Sequence, residues 1–297
     1  MSRLFAPSGP WARLERSAAL TRIEELIDRQ LNPVGASSPG KAASIHDALW
    51  GTCSFAAHEI EFIDTPLFQR LRRIKQLGGT HLVFPSATHS RFEHTLGVTH
   101  IAGRFAEALQ KCGAPITEQL HANVRFAALC HDLGHGPFSH CSEELLAGLE
   151  PMPQLAQLLP NSKAGEALSW LIANSAPMRK FVERLNSRHG CQLDCDLIAS
   201  IIVGQPSADL SFLGEILHGP IDADKIDYLQ RDGMFSGVPV KLDVDRILAS
   251  IQPASKQNQT SGRAKVHLGG NKGGEMAFIQ LMQHKTHMNI VVYHHPA

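Results

Sequence analysis

Aromatic residues are scarce in this 297-residue chain, 6% in all, with only two tyrosines. No apolar run approaches the roughly 20 residues of a membrane span, and the first residues hold no apolar signal core. Net charge is missing as well, because 28 basic residues face 28 acidic ones. These gaps exclude a membrane-spanning protein and argue against one that coats nucleic acid non-specifically, while leaving room for a local basic pocket. They predict a soluble, cytoplasmic chain. The six cysteines, Cys53, Cys112, Cys130, Cys141, Cys191 and Cys195, form no CxxC pair. Reduced thiols fit that pattern best, with the loose Cys191–Cys195 spacing as a weak metal or redox candidate. Seventeen histidines, by contrast, are many for this length and hint at metal chemistry.

The stretch that organises the chain is Ala128-Leu129-Cys130-His131-Asp132-Leu133-Gly134-His135-Gly136-Pro137-Phe138-Ser139-His140. An apolar helical run, Val124 to Cys130, delivers a His and an Asp side by side, and a Gly-Gly-Pro break follows. Adjacent helical residues point about 100° apart. His131 and Asp132 can therefore share one ion only off the end of the helix, with partners from elsewhere.

Apolar periodicity predicts a mainly helical, all-α chain with a few short strands or hairpins. Residues 1–43 read as an appendage, a helical pattern within Trp11–Leu31 followed by a Pro/Gly/Ser linker, and residues 44–297 as the main domain. One or two short strands are expected within Ile45–Phe62. Asp64-Thr65-Pro66 reads as a helix start with Asp64 as N-cap, Phe68, Leu71 and Ile74 inward, and Arg70, Arg72, Arg73 and Lys75 outward. His81–Pro85 reads as extended. Further helices are predicted from Arg91, over Glu118–Cys130 with Thr117 as N-cap, and from Glu143 to Leu149, broken by Pro151 and Pro153. Helices are also predicted at Gly165–Ile172, Met178–Leu185, Asp194–Val203, Phe212–His218, Ile221–Arg231 (stopped by Gly233), Val244–Ile251 and Glu275–Tyr293. Gln252–Gly274 reads as a loop or hairpin.

A catalytic first-row metal site needs imidazole and carboxylate ligands with coordination positions left open. His131 and Asp132 supply two. His94 opens the preceding helix, and neighbouring antiparallel helices would bring it beside the end of the next. The fourth candidate comes from Gly219–Tyr228, a helix start crowded with the carboxylates Asp222, Asp224 and Asp227. Arg91 lies three residues before His94, Lys225 directly follows Asp224, and Tyr228 and Asp232 share the Asp224 face. A cation-rich rim round a metal suits a phosphate ester or anhydride.

This set resembles the HD-domain metal-dependent phosphohydrolases, and within them the deoxynucleoside triphosphate triphosphohydrolases that include the vertebrate sterile-alpha-motif-bearing restriction factor. The carrying segments are Asp64–Gly79, Phe84-Pro85, Arg91–Val98, His131–His140 and Ile221–Asp232, over roughly Ile45–Ile251 with a weaker match onward to Tyr293. The resemblance implies a helical HD-domain fold. It implies one divalent ion (Mn, Fe, Co, Mg or Zn) on His94, His131, Asp132 and Asp224, and cleavage of a dNTP to deoxynucleoside and inorganic triphosphate. It places Gln76 and Leu77 near deoxyribose and base, Arg91, His135, His140, Lys225 and Tyr228 at phosphates, and Asp232 at the sugar. Asp64, Gln69 and Arg72 match positions that read an activating nucleotide between subunits in some relatives, so a homo-oligomer, dimer or tetramer, is expected.

Two departures stand out. Such relatives carry a His shortly after the His-Asp helix, whereas Leu159–Glu166 holds none. Either His135, with Glu143 or Glu144, takes that catalytic role or the chemistry is altered. The chain also ends inside a continuing family segment, which suggests a short form. The alternatives are an HD-type nucleotidase or phosphodiesterase with a different cleavage site, or a non-catalytic nucleotide-sensing scaffold. The HD-GYP type of phosphodiesterase lacks support, since no Gly-Tyr-Pro follows the motif.

Overall fold

Five of the few aromatics gather in one cluster. Phe62 sits 4.8 Å from Phe126, 5.7 Å from Phe68 and 5.9 Å from Phe181 between ring centroids, and Phe68 lies 5.4 Å from Phe92. These rings knit the elements around the first long helices. The computed structural model describes residues 17–32, 40–138, 142–253, 266–268 and 272–294. The chain runs α1 (Ala18–Leu31), β1 (Ala43–Asp47), β2 (Gly51–Phe55), α2 (Ala57–Ile63), α3 (Pro66–Gln69, continued as a 3-10 turn to Arg73), α4 (Arg91–Lys111) and α5 (Glu118–Cys130). It continues through α6 (Glu143–Ala147), α7 (Met152–Leu158), α8 (Ala164–Asn174), α9 (Ala176–His189), α10 (Cys195–Ile202), α11 (Ser211–His218), α12 (Ala223–Ser236) and α13 (Val244–Ser250). Strands β3 (Ile251–Pro253) and β4 (Val266–Leu268) and helix α14 (Lys272–Met288), with a π turn to Tyr293, close it. The fold is mainly helical, as the periodicity requires. The strands make two antiparallel pairs, with Ala43 opposite Phe55 in one and Ile251 opposite Leu268 in the other. Among the described residues no helix is long and apolar enough to cross a membrane.

Helices α4, α5 and α12 frame the site, α4 packing against both of the others. Val98, Ile101, Phe105 and Leu109 of α4 are buried, as are Val124 and Phe126 to Cys130 of α5. Helix α4 is seated by its entry: Ser90 N donates to Glu93 Oε2 at 2.7 Å, and Arg91 N donates to Ile74 O at 2.8 Å. Thr117 caps α5, its hydroxyl accepting from Leu120 N at 3.2 Å. Helix α1 buries Leu20, Ile27 and Leu31 and lies against α9. The part of Trp11–Leu31 before Ser17 lies outside the described residues.

Several local expectations fail for tertiary reasons. Asp64 does not cap α3; it ends α2, and the Thr65 hydroxyl caps α3 by accepting from Phe68 N at 3.4 Å. Arg70 turns inward instead of outward, donating to the carbonyls of Leu133 and His135 and so pinning the His-Asp turn. His81–Pro85 is a 3-10 helix over Thr80–Leu82 followed by turns, since Leu82 N and Phe84 N find local carbonyls. Helix α6 ends before Pro151, as expected, but a new helix, α7, then opens on Pro151 and Pro153, proline being tolerated where N–H groups are unused. Gly233 lies inside α12, where a Cβ would come within 2.9 Å of Val238 O and of Val240, and Gly237, at φ 74°, ends the helix. Gly233 is a packing glycine, not a stop.

The turn after α5 is pressed on α8. Gly134 N donates to Ser169 Oγ at 2.8 Å, and a Cβ at Gly134 would lie 2.1 Å from Gly165 O and 2.6 Å from Ser169 N. Backbone atoms cannot step aside. Gly134→Ala is expected to cost about 3 kcal/mol, read as a lower urea midpoint at unchanged m-value.

Candidate metal centre

The end of α5, the start of α4 and the start of α12 meet at one point. His94, His131 and Asp224 each offer a ligand atom, and the three atoms lie within 4.8 Å of one another, the one such group among the described residues. His94 Nε2 is 3.0 Å from Asp224 Oδ1, and His131 Nε2 is 3.9 Å from it. Asp132 flanks the group, with Oδ2 3.7 Å from His94 Nε2 and Oδ1 3.6 Å from His131 Nε2. The helix ends at Cys130 and His131–Gly134 form a turn, which lets both neighbours reach one point.

The ring orientations suit a cation. His131 Nδ1 lies 2.6 Å from Ala128 O, which fixes the proton on Nδ1 and leaves Nε2 as an acceptor. That Nε2 is buried and has no hydrogen-bond partner. His94 Nδ1 lies 2.8 Å from Asp227 Oδ2, again leaving Nε2 aimed inward. A buried imidazole nitrogen without a partner beside two carboxylates is what a divalent ion would satisfy. The residues fit the group. Asp224 keeps a third of its side chain exposed, so the centre opens to solvent on that side.

Charge tells the same story. Burial disfavours a protonated His94, but Asp224 and Asp227 overcome it and raise its pKa to about 10. Burial works against ionised Asp132 too, yet Arg91, His131 and His135 hold it well below the usual carboxylate range. Asp224 and Asp227 are likewise lowered, against burial, by His94 and His131 and by Arg231 and His94 respectively. A raised histidine contributes stability that is full below its unfolded pKa near 6.5 and is lost as pH climbs through about 10. The lowered aspartates contribute above about pH 4 and lose it as pH falls. Melts of chelator-treated protein should therefore show highest stability near pH 5–7 and decline on both sides, roughly.

Arg91 Nη1 lies 2.5 Å from Asp132 Oδ2 and is buried. His135 sits with Nε2 3.3 Å from Asp132 Oδ1 and Nδ1 3.5 Å from Glu143 Oε1, against Gly165, where a Cβ would meet the ring at 2.6 Å. Lys225 Nζ is held by Asp222, the α12 N-cap, and by Gly219 O at 3.0 Å. Burial raises the Asp222 pKa to about 7 despite Lys225. Asp232 accepts from Tyr293 OH at 2.7 Å, and its other oxygen lies 2.8 Å from His89 Nε2. Tyr228 and Tyr293 stand edge to face, 6.3 Å apart. Gln76 N donates to His89 O at 3.0 Å, its Oε1 is buried without a partner, and Leu77 packs on the core nearby in sequence. His140 lies outside the described residues. Of the three residues that the resemblance assigned to an activating nucleotide, Gln69 Nε2 donates to Ile63 O at 2.8 Å and Arg72 Nε donates to Gln69 Oε1 at 2.7 Å, while Asp64 ends α2.

Sequence reasoning passed over Asp227, Arg231, Trp50, His89 and Tyr293. The Asp227–Arg231 spacing of four on an expected helix was a usable signal for an ion pair; Trp50 reaches the site only through the tertiary fold.

Residues 91–202, which contain His94, His131 and Asp132, match the HD domain family. The deoxynucleoside triphosphate triphosphohydrolase SAMHD1 homolog of Dictyostelium discoideum is 35% identical over 224 residues, 73% of this chain and 41% of that protein. The human deoxynucleoside triphosphate triphosphohydrolase SAMHD1 is 30% identical over 263 residues, 82% of this chain and 40% of its own length. The chain thus spans about two fifths of these relatives. A crystal structure of a hypothetical protein from Aquifex aeolicus superposes with a TM-score of 0.66 at 31% identity, covering 86% of this chain and 60% of that one. With these matches and the convergence of His94, His131, Asp132 and Asp224, the chain belongs to the HD-domain family, in the branch of its SAMHD1-like relatives.

Proposed function

We propose that this chain is a metal-dependent phosphohydrolase that cleaves deoxynucleoside triphosphates to deoxynucleoside and inorganic triphosphate. The observation that carries the reading is the partnerless, buried His131 Nε2 beside His94, Asp132 and Asp224. A divalent ion (Mn, Fe, Co, Mg or Zn) held by these four would neutralise phosphate charge and acidify a water. Overall, water adds at the α-phosphorus, the bond from phosphorus to the 5′-oxygen breaks, and the leaving 5′-oxygen takes a proton. His135, seated between Asp132 and Glu143, is the proposed group for moving that proton. Arg91, Lys225, Tyr228 and His140 are proposed to meet phosphates, Asp232 the sugar, and Gln76 and Leu77 the nucleoside end. The shared names of the relatives support the dNTP class. We further propose a cytoplasmic homo-oligomer, with an activating nucleotide at Asp64, Gln69 and Arg72. The exposed Met276, Phe278, Ile279 and Met282 along α14 support an assembly face. Residues 1–43 are proposed as an appendage seated through α1 on α9.

A second reading, a nucleotide sensor without turnover, draws on Lys225, whose ammonium is taken by Asp222. A dNTP panel crossed with Mn, Fe, Co and Mg, with products separated by chromatography, decides. Nucleoside with triphosphate is expected. Monophosphate or free phosphate would assign a different cut, and nucleotide-dependent assembly without products would assign the sensor.

A further inference from the structure

We infer that the β1–β2 hairpin is a working part of the metal centre, with Trp50 and Asp47 as positioning residues that set His94 through Asp227 and Arg231. This rests on the metal-site reading above. His94 Nε2 can face the ion only while Nδ1 is held, and Asp227 Oδ2 holds it at 2.8 Å. Asp227 is itself fully buried, so its orientation depends on donors. Arg231 supplies two, Nε to Oδ2 and Nη2 to Oδ1, each at 2.8 Å. The Trp50 indole N–H supplies another to Oδ1 at 2.6 Å, from a residue 177 positions earlier in the chain.

The hairpin grips the other end of the same network. Asp47 Oδ1 closes the turn by accepting from Leu49 N at 2.8 Å and Trp50 N at 2.9 Å, while Oδ2 sits 3.0 Å from Arg231 Nη2. One turn thus presents a donor to Asp227 and an acceptor to Arg231. Helix α4 is cleared for the arrangement: a Cβ at Gly97 would fall 1.9 Å from Asp227 Oδ1 and 2.5 Å from Arg231 Nη2. Outer partners of metal-ligating histidines fix the ring and raise ligand basicity, and their loss typically weakens metal binding about 10- to 100-fold. A purely structural staple would behave differently. It would lower the melting temperature and leave the affinity of the folded protein unchanged.

The test is Mn²⁺ titration of the full chain, followed by calorimetry at a temperature where every variant is folded. Trp50→Phe keeps the ring and removes the N–H, and is expected to bind Mn²⁺ about 10-fold more weakly. Wild-type affinity in W50F would overturn the inference, whatever the melting temperature. Should W50F not fold, Asp47→Asn is judged by the same measurement, and wild-type affinity there would equally overturn it. His131→Ala, run alongside, separates the two ideas. If H131A keeps Mn²⁺, the metal reading itself is wrong; if H131A loses it while W50F does not, only the role of the hairpin fails.

Discussion

His131→Ala is expected to lose its divalent ion and, with it, about a thousandfold or more in turnover of any substrate the site accepts. The size follows from what the side chain does. Its Nε2 has no protein partner to lose, and its Nδ1 contact to Ala128 O belongs to a turn already held by Arg70 and by Gly134 on Ser169. The fold should therefore survive with a small change in melting temperature, while a metal left on two or three ligands binds weakly and is poorly placed. Metal content after gel filtration and turnover across the metal panel give the two readouts. Full metal content with full turnover would sink the proposal. Asp132→Asn is a poorer probe, because it also strips Arg91 of a buried carboxylate partner.

How much of this was legible in the sequence depends on where each signal is stored. The helix that carries His94 and the one that ends just before His131 were readable to within a residue or two, because caps and apolar periodicity are local: Thr117 and the Arg91 start stand where expected. The mainly helical class followed from the same periodicity. His94, His131, Asp132 and Asp224 were readable as a set because each sits at a helix end, where chemistry-bearing side chains can converge, and the structure brings them together. Arg70 was misread because helical spacing alone put it outside, whereas the carbonyls of Leu133 and His135 draw it in. Gly233 was misread because a glycine's close approach to Val240 cannot be told from a helix stop without the partner. Trp50 carried no local sign of its role, since its partner Asp227 lies far along the chain. Tertiary contacts decided all three.

Replacing Arg231 by Met should be the most destabilising single change on the back of the centre. Arg231 is 1% exposed and stands between Asp227 and Asp47, two buried carboxylates. Methionine fills much of the volume, so cavity cost is small and the loss is electrostatic. Removing one member of a buried charge cluster costs about 3–5 kcal/mol, because the remaining charges stay desolvated. In a chain of this size that corresponds to a melting temperature lower by roughly 10 °C. The pH dependence identifies the cause. Arg231 heads the influences that hold Asp227 below its ordinary range against burial, so the stabilisation is present above the unfolded carboxylate pKa and is lost as pH falls. The gap between wild type and R231M should therefore be widest near neutral pH and narrow toward about pH 4, where the stranded carboxylates accept protons. A gap that stays constant with pH would mean that Arg231 acts through packing of its stem, and that Asp227 holds His94 without its help.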